Sequence, residues 1–440
     1  MSRSIRLEIR KTTMRYETID NALFAANRKR FAENLPPKSM AIFVSGEKMP
    51  RNGDQFFTFR QQSDFFYLTG ISVEKSALIL FPDCPIKNCG ELLFIEDYNE
   101  TKVLWEGGLL SREEASSISG ISTVKSSDLF DVSLQELMAY TETIYLNDCS
   151  EITGIETKQQ RFNKTLREKY PLSDYQSSAS ILNKLRMVKS EYELMLIRKA
   201  ITITRNAFER AARFTKPNKY EFEVQAEIEH EFTINRSNGN AFPPVVAGGV
   251  NACCLHYSEN KQPLNDGELL LFDMGAEYAN YAADLSRTIP VNGKFTPRQK
   301  ACYNAVLRTL KSLKKLYVPE KTIDEINHKA NELLEKEMIA LGLFSEADVK
   351  AQNPNAPLFR KYFMHGVAHH IGLDVHDVGD RKEPLRAGMV LSCEPGIYIR
   401  EEQIGIRIEN DILITNGEPI DLMSDIPIEV DEIEKIMKNK

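Results

Sequence analysis

Two stretches of this chain place acidic residues where a cation or a shared proton is needed to make them tolerable. In Glu268 to Thr288, ELLLFDMGAEYANYAADLSRT, an apolar run ends in Asp273 and a second run carries Asp284. A hairpin turning near Tyr278 and Ala279 would set Asp273 opposite Asp284, with Cβ atoms about 5 Å apart on one face. Like charges so placed repel unless a cation lies between them or one is protonated. Val390 to Thr415, VLSCEPGIYIREEQIGIRIENDILIT, repeats the arrangement, with Glu394 and Glu409 symmetric about Glu401 and Glu402. Pro395 has no N–H to donate and predicts a break in that ladder. Four carboxylates on two hairpins call for metal.

Between the hairpins lies HGVAHHIGLDVHD, residues 365 to 377, holding four of the chain's seven histidines. Glycines 366 and 372 punctuate the run as they would where backbone closes around a site. His365, His369 and His376 are therefore candidates, as is His256 in CCLHYSEN, whereas His370 is expected to point elsewhere. His230 and His328 sit on helices far from these motifs and read as ordinary histidines. Oxygen ligands with one or two imidazoles suit Mn²⁺, Co²⁺, Fe²⁺ or Zn²⁺, and the lack of thiolates argues against a structural zinc. Two ions sharing carboxylates about 3.5–4 Å apart would turn a bridging water into a hydroxide able to attack a carbonyl. The remaining histidines would supply hydrogen bonds or protons to the substrate.

The motifs FDMGAEYANYAADLSRT, HGVAHHIGLDVHD, LSCEPGIYI and GIRIEND, with RNGDQFFTFRQQSDFFYLTG upstream, resemble those of the metal-dependent aminopeptidases and prolidases of the creatinase-like pita-bread fold. The resemblance is closest to the aminopeptidase P group, which removes the residue preceding a second-position proline, and covers all but about the first dozen residues. It implies that Asp273, Asp284, His369, Glu394 and Glu409 ligate two divalent ions, Mn²⁺ foremost, with Asp284 and Glu409 bridging. It further implies that His256, His365 and His376 contact substrate or stabilise the oxyanion, and that Phe242 and Tyr398 wall the proline pocket. Glu394 is placed to shuttle a proton, and Arg407, on the same strand face as Glu409, to orient a metal-site carboxylate.

The nearest rival is a prolidase, which cuts Xaa-Pro dipeptides and needs a cation for the free carboxylate; Arg381 or Arg386 would be that cation. Methionine aminopeptidases normally lack so large an N-terminal domain. A non-catalytic binding module on the same fold, or a metal-free creatine hydrolase, does not require the complete ligand set found here.

These residues need scaffolding. In the N-terminal part, SMAIFVS, ALILF, ELLFI and TIYLN alternate with helix-type segments (about Tyr16 to Asn34, and Ser111 to Ile118), predicting an α/β domain over 14–177 behind a disordered extension at 1–13. RNGDQFFTFRQQSDFFYLTG reads as a core strand followed by an aromatic-packed loop. YPLSDYQSSAS, 170–180, has the composition of a linker. Beyond it, an α+β catalytic domain of pita-bread fold is expected over 178–440, with helices from Ser190 to Phe214, Glu221 to Phe232, Pro297 (N-cap Thr296) to Leu316, and Ile323 to Leu341. Each pair of helices flanks a pair of strands.

At 440 residues the chain is long enough for two cores. A formal net charge of −7 leaves no broad basic face for nucleic acid. Seven cysteines without a CxxC pair suggest a reducing compartment. No run reaches the roughly 20 apolar residues of a membrane helix. A cytoplasmic enzyme without membrane or nucleic-acid partners is expected, and the resemblance implies a homodimer or homotetramer.

Overall fold

The computed structural model describes residues 15–107, 109–147, 154 and 156–438; the extension expected at 1–13 lies outside them. The chain divides after Leu185 into two units. The first holds a six-stranded sheet in the order Val124–Ser126, Glu91–Ile95, Ala77–Leu80, Ser39–Val44, Thr143–Leu146, Asp174–Ser177. All four apolar runs picked out in the sequence are strands, and their buried Met40, Ile42, Ile79, Leu92, Phe94 and Ile144 form its core.

Two expectations for this unit need correction. The segment read as a linker contains the edge strand Asp174–Ser177, paired in parallel with Thr143–Leu146. An edge strand half-exposed to water can be polar throughout, so it carries no apolar alternation. The stretch read as a core strand and loop is an exposed hairpin, Pro50–Asn52 with Gln55–Phe56, followed by a wholly buried helix, Ser63–Thr69. Gln62 caps that helix by accepting from Phe65 N, and Gly70 closes it at φ 68°. Burial on every side hid the helical period.

In the second unit, helix Glu191–Phe214 carries a capping box of Ser190 and Glu193, and its apolar stripe is buried. It packs on the first hairpin, where Thr204 Oγ1 accepts from Ala276 N at 3.0 Å and Phe208 meets Phe272 edge-on. Helix Pro297–Leu313, capped by Thr296, pairs with Ile323–Ala340. These elements fall where the sequence placed them because cap, proline and apolar spacing agree at each.

The first hairpin joins Leu269–Met274 to Leu285–Pro290, with Val245–Gly248 on its other side. Its register corrects the sequence reading: Asp273 faces Ser286, not Asp284. The turn centres on Ala279 and Asn280, at φ 51° and 65°, with Tyr278 opposite Tyr281. Those angles are the type I′ pair usually signalled by Asn-Gly, and Ala-Asn conceals it. Asp284, two residues before Ser286, remains on the Asp273 face as its diagonal neighbour.

The second hairpin keeps the expected symmetry. Val390–Cys393 pairs with Asn410–Leu413, and Gly396–Ile399 with Ile404–Arg407, both in the register that sets Glu394 against Glu409. The ladder breaks between these halves at Pro395, which accepts from Ile408 N at 3.3 Å but has nothing to donate.

Candidate metal centre

The two hairpins and the histidine run meet at one cavity of about 590 Å³, lined by Asp273, Asp284, His365, His369, His376, Glu394, Arg407 and Glu409, with Phe242 and His256. Asp284, His369 and Glu409 each offer an atom within 4.8 Å of the others. His369 Nε2 lies 3.4 Å from Asp284 Oδ2 and 3.5 Å from Glu394 Oε1.

These carboxylates are held by donors that leave part of each unpaired. Arg407, 4% exposed, donates from Nη2 to Asp273 Oδ2 at 2.6 Å, from Nε to Ser286 Oγ at 2.8 Å and from Nη1 to the Tyr398 hydroxyl at 3.0 Å. Ser286 Oγ in turn donates to Glu409 Oε2 at 2.7 Å. Yet Asp273 Oδ1, Asp284 Oδ1 and Glu409 Oε1 are buried without a hydrogen-bond partner. Burying such atoms unsatisfied costs about 1–3 kcal/mol each, more when charged. Three orphaned oxygens converging beside an imidazole are the donor set a divalent cation takes, so the residues fit the metal.

Electrostatics agree. Burial, followed by repulsion from Glu409 and Asp273, raises the Asp284 carboxyl well above its usual range. Burial and Glu394 do the same to Glu409. Burial outweighs the opposing Arg407 charge to push Glu394 up to about 8. His369 is drawn down to about 4 by burial and His376, which keeps it neutral. Its Nδ1–H points to the His370 carbonyl at 3.1 Å, which leaves the Nε2 lone pair facing Asp284 and Glu394.

The other predicted residues divide by placement. His256 and His376 are exposed on the cavity wall. His365 lines it too, but Nδ1 faces the Gly366 carbonyl at 2.6 Å and Nε2 the Tyr398 hydroxyl at 2.8 Å. Burial drives its pKa down to about 3, so Nδ1–H donates and Nε2 accepts. Phe242 lines the cavity; Tyr398, expected as its companion wall, is 2% exposed and not part of the lining. Its hydroxyl is committed between Arg407 and His365, which makes it a strut for the site. Arg381 lines the cavity, whereas Arg386 pairs with Glu383 at 3.1 Å outside it. His370 is 4% exposed and points away from the metal ligands, as expected. His230 and His328 are exposed on their helices, His328 beside Glu332.

Sequence reasoning missed Ser286, Ser392 and Asn327. Ser392 Oγ accepts from His369 N at 3.0 Å, and Asn327 Oδ1 accepts from Val367 N at 2.7 Å. The wrong register hid Ser286, which faces Asp273; Ser392, two residues before Glu394 on a hairpin whose register was read correctly, was overlooked although strand alternation puts it on the same face. Asn327, on a distant helix, carried no signal.

The family model described as metallopeptidase family M24 matches residues 195–416, and that of the aminopeptidase P N-terminal domain matches 24–145. The chain is 33% identical to the Xaa-Pro aminopeptidase of Haemophilus influenzae, covering 94% of this chain and 96% of that protein. It is 32% identical to the Escherichia coli Xaa-Pro aminopeptidase, over 94% and 97% of the two. Zinc-substituted E. coli aminopeptidase P in complex with product superposes with a TM-score of 0.87 at 30% identity, over 96% of this chain and 99% of that one. Both family models, near-complete coverage of these relatives, and a carboxylate–histidine cluster on two hairpins of a pita-bread fold agree: the chain belongs to metallopeptidase family M24, in its aminopeptidase P branch.

Proposed function

We propose that this metal-dependent aminopeptidase releases the first residue from peptides with proline second, using two divalent ions held by Asp273, Asp284, His369, Glu394 and Glu409. The observation that carries the reading is the set of orphaned, buried carboxylate oxygens of Asp273, Asp284 and Glu409 facing one cavity. Asp284, His369 and Glu409, whose ligand atoms lie within 4.8 Å of one another, would form the centre of that set, with Mn²⁺ the first choice and Co²⁺, Zn²⁺ or Fe²⁺ the alternatives. When bound, such ions supply Lewis acidity and lower the pKa of water towards neutrality.

The chain's own residues do the rest. Glu394 takes the proton of the attacking water and passes it to the departing amine. His256 and His376 donate hydrogen bonds to the scissile carbonyl as negative charge develops on it. Arg407 fixes Asp273, and through Tyr398 it fixes the ring of His365. Phe242, with Pro243, Val245 and Leu255, offers an apolar wall suited to a proline ring that has no N–H to satisfy.

A dipeptide-cutting prolidase is the second reading, favoured by Arg381 on the cavity lining with its nearest carboxylate, Asp324, at 3.8 Å. Measuring kcat/KM on Xaa-Pro-Xaa, Xaa-Pro and Xaa-Ala-Xaa peptides decides between them. Preference for the proline tripeptide is expected. Cleavage of the dipeptide alone would make the enzyme a prolidase, and equal cleavage of alanine and proline tripeptides would remove the proline specificity. We read the working enzyme as cytoplasmic, which six free cysteines among the described residues support, and as a dimer or tetramer, which the resemblance implies. No helix among the described residues is long and apolar enough to cross a membrane.

A further inference from the structure

We infer that Glu221, a buried carboxylate outside the metal cluster, is the positioning residue for His256, an inference resting on the reading that His256 acts on substrate. Glu221 opens helix Glu221–Ile234 and has no exposed surface. Its Oε1 accepts from Gly248 N at 2.8 Å and Asn251 Nδ2 at 3.1 Å. Its Oε2 accepts from the Tyr257 hydroxyl at 2.7 Å and Gln262 N at 2.8 Å. The Glu221 N–H also donates to the Gln262 carbonyl at 3.0 Å.

These partners are the two ends and the middle of one loop, 248–262, whose next residue before Tyr257 is His256. Among the described residues the His256 side chain has no hydrogen-bond partner, so only its backbone fixes it in the cavity wall. One carboxylate accepting four hydrogen bonds is satisfied despite its burial, and hydrogen bonds to an ionised acceptor are stronger than neutral ones. Removing its charge would free the loop from three sides at once. A catalytic group displaced by about 1 Å can lose about a hundredfold in rate. Glu221 itself is not part of the cavity lining, so it acts through the loop that carries His256.

The test is a double-mutant cycle on the metal-reconstituted enzyme, reading kcat, KM, metal content and melting temperature. Glu221→Gln keeps the shape but turns an NH₂ group towards the Gln262 N–H. It should lower kcat by about ten- to a hundredfold, with little change in KM or metal content, and lower the melting temperature without unfolding the enzyme at the assay temperature. Combined with His256→Ala, it should add less than about twofold to the loss from His256→Ala alone, because both act through one group. Tyr257→Phe removes one bond from the loop side and should give the same non-additive pattern at smaller amplitude, including if Glu221→Gln does not fold. Glu223→Gln, half-buried on the same helical turn but accepting from Tyr220 N and Lys219 rather than from the loop, should leave kcat unchanged. Multiplying losses, or an activity loss matched by lost metal, would make Glu221 merely structural. Full activity in His256→Ala would overturn the assigned role of His256, and the inference with it.

Discussion

Among single residues, the histidines separate ligand from substrate contact. His369→Ala should lose metal, since its Nε2 faces Asp284 and Glu394. His256→Ala and His376→Ala should retain metal while kcat falls by about 10²–10⁴, whereas His230→Ala and His328→Ala should change neither. Elemental analysis beside steady-state kinetics distinguishes the two groups; metal loss in His376→Ala with retention in His369→Ala would reverse the assignment. Glu394 makes a second prediction. Its carboxyl ionises near 4.5 when unfolded and near 8 when folded without a cation. A raised folded pKa contributes stability that is complete below 4.5 and is lost as pH rises through 8. Asp284 and Glu409 shift the same way. The melting temperature of metal-stripped protein should therefore fall over this window, and excess Mn²⁺ should flatten the slope. A stripped protein that grows more stable as pH rises would contradict the burial of these charges.

At the level of elements, the site depends on how closely the strands of the first hairpin cross. A Cβ on Gly275 would sit 1.7 Å from the Ala283 carbonyl oxygen, between Asp273 and Asp284 in the chain. Gly275→Ala should cost about 1–3 kcal/mol in stability and weaken metal binding by forcing the strands apart. Calorimetric Mn²⁺ titration checks it, and unaltered affinity would show that the crossing does not set the site. Legibility was uneven between the two hairpins. The one interrupted by Pro395 has the register its symmetric glutamates implied. The first hairpin is displaced, because its turn uses Ala279 and Asn280 in left-handed conformations without the expected glycine. From its diagonal position Asp284 still reaches the cavity, so the two aspartates meet there although they do not pair. Arg407 was found by strand alternation; Ser286 was hidden by the wrong register, and Asn327 by distance along the chain.

Across the whole molecule, what could be read was the patterned part. Helices Glu191–Phe214, Pro297–Leu313 and Ile323–Ala340 each announce themselves by a capping residue and apolar spacing. The polar edge strand Asp174–Ser177 and the buried helix Ser63–Thr69 follow neither rule, and both were misread. The proposed ligands still meet, because they come from residue types gathered in three short motifs, which the fold brings to one cavity. That two divalent ions occupy this set is the central claim. It is tested most directly by stripping the enzyme with chelator and following hydrolysis of an Xaa-Pro-Xaa peptide as Mn²⁺ is titrated back. The stripped enzyme should be inactive, with activity rising to a plateau at two equivalents per chain. Full activity in rigorously metal-free protein would contradict it.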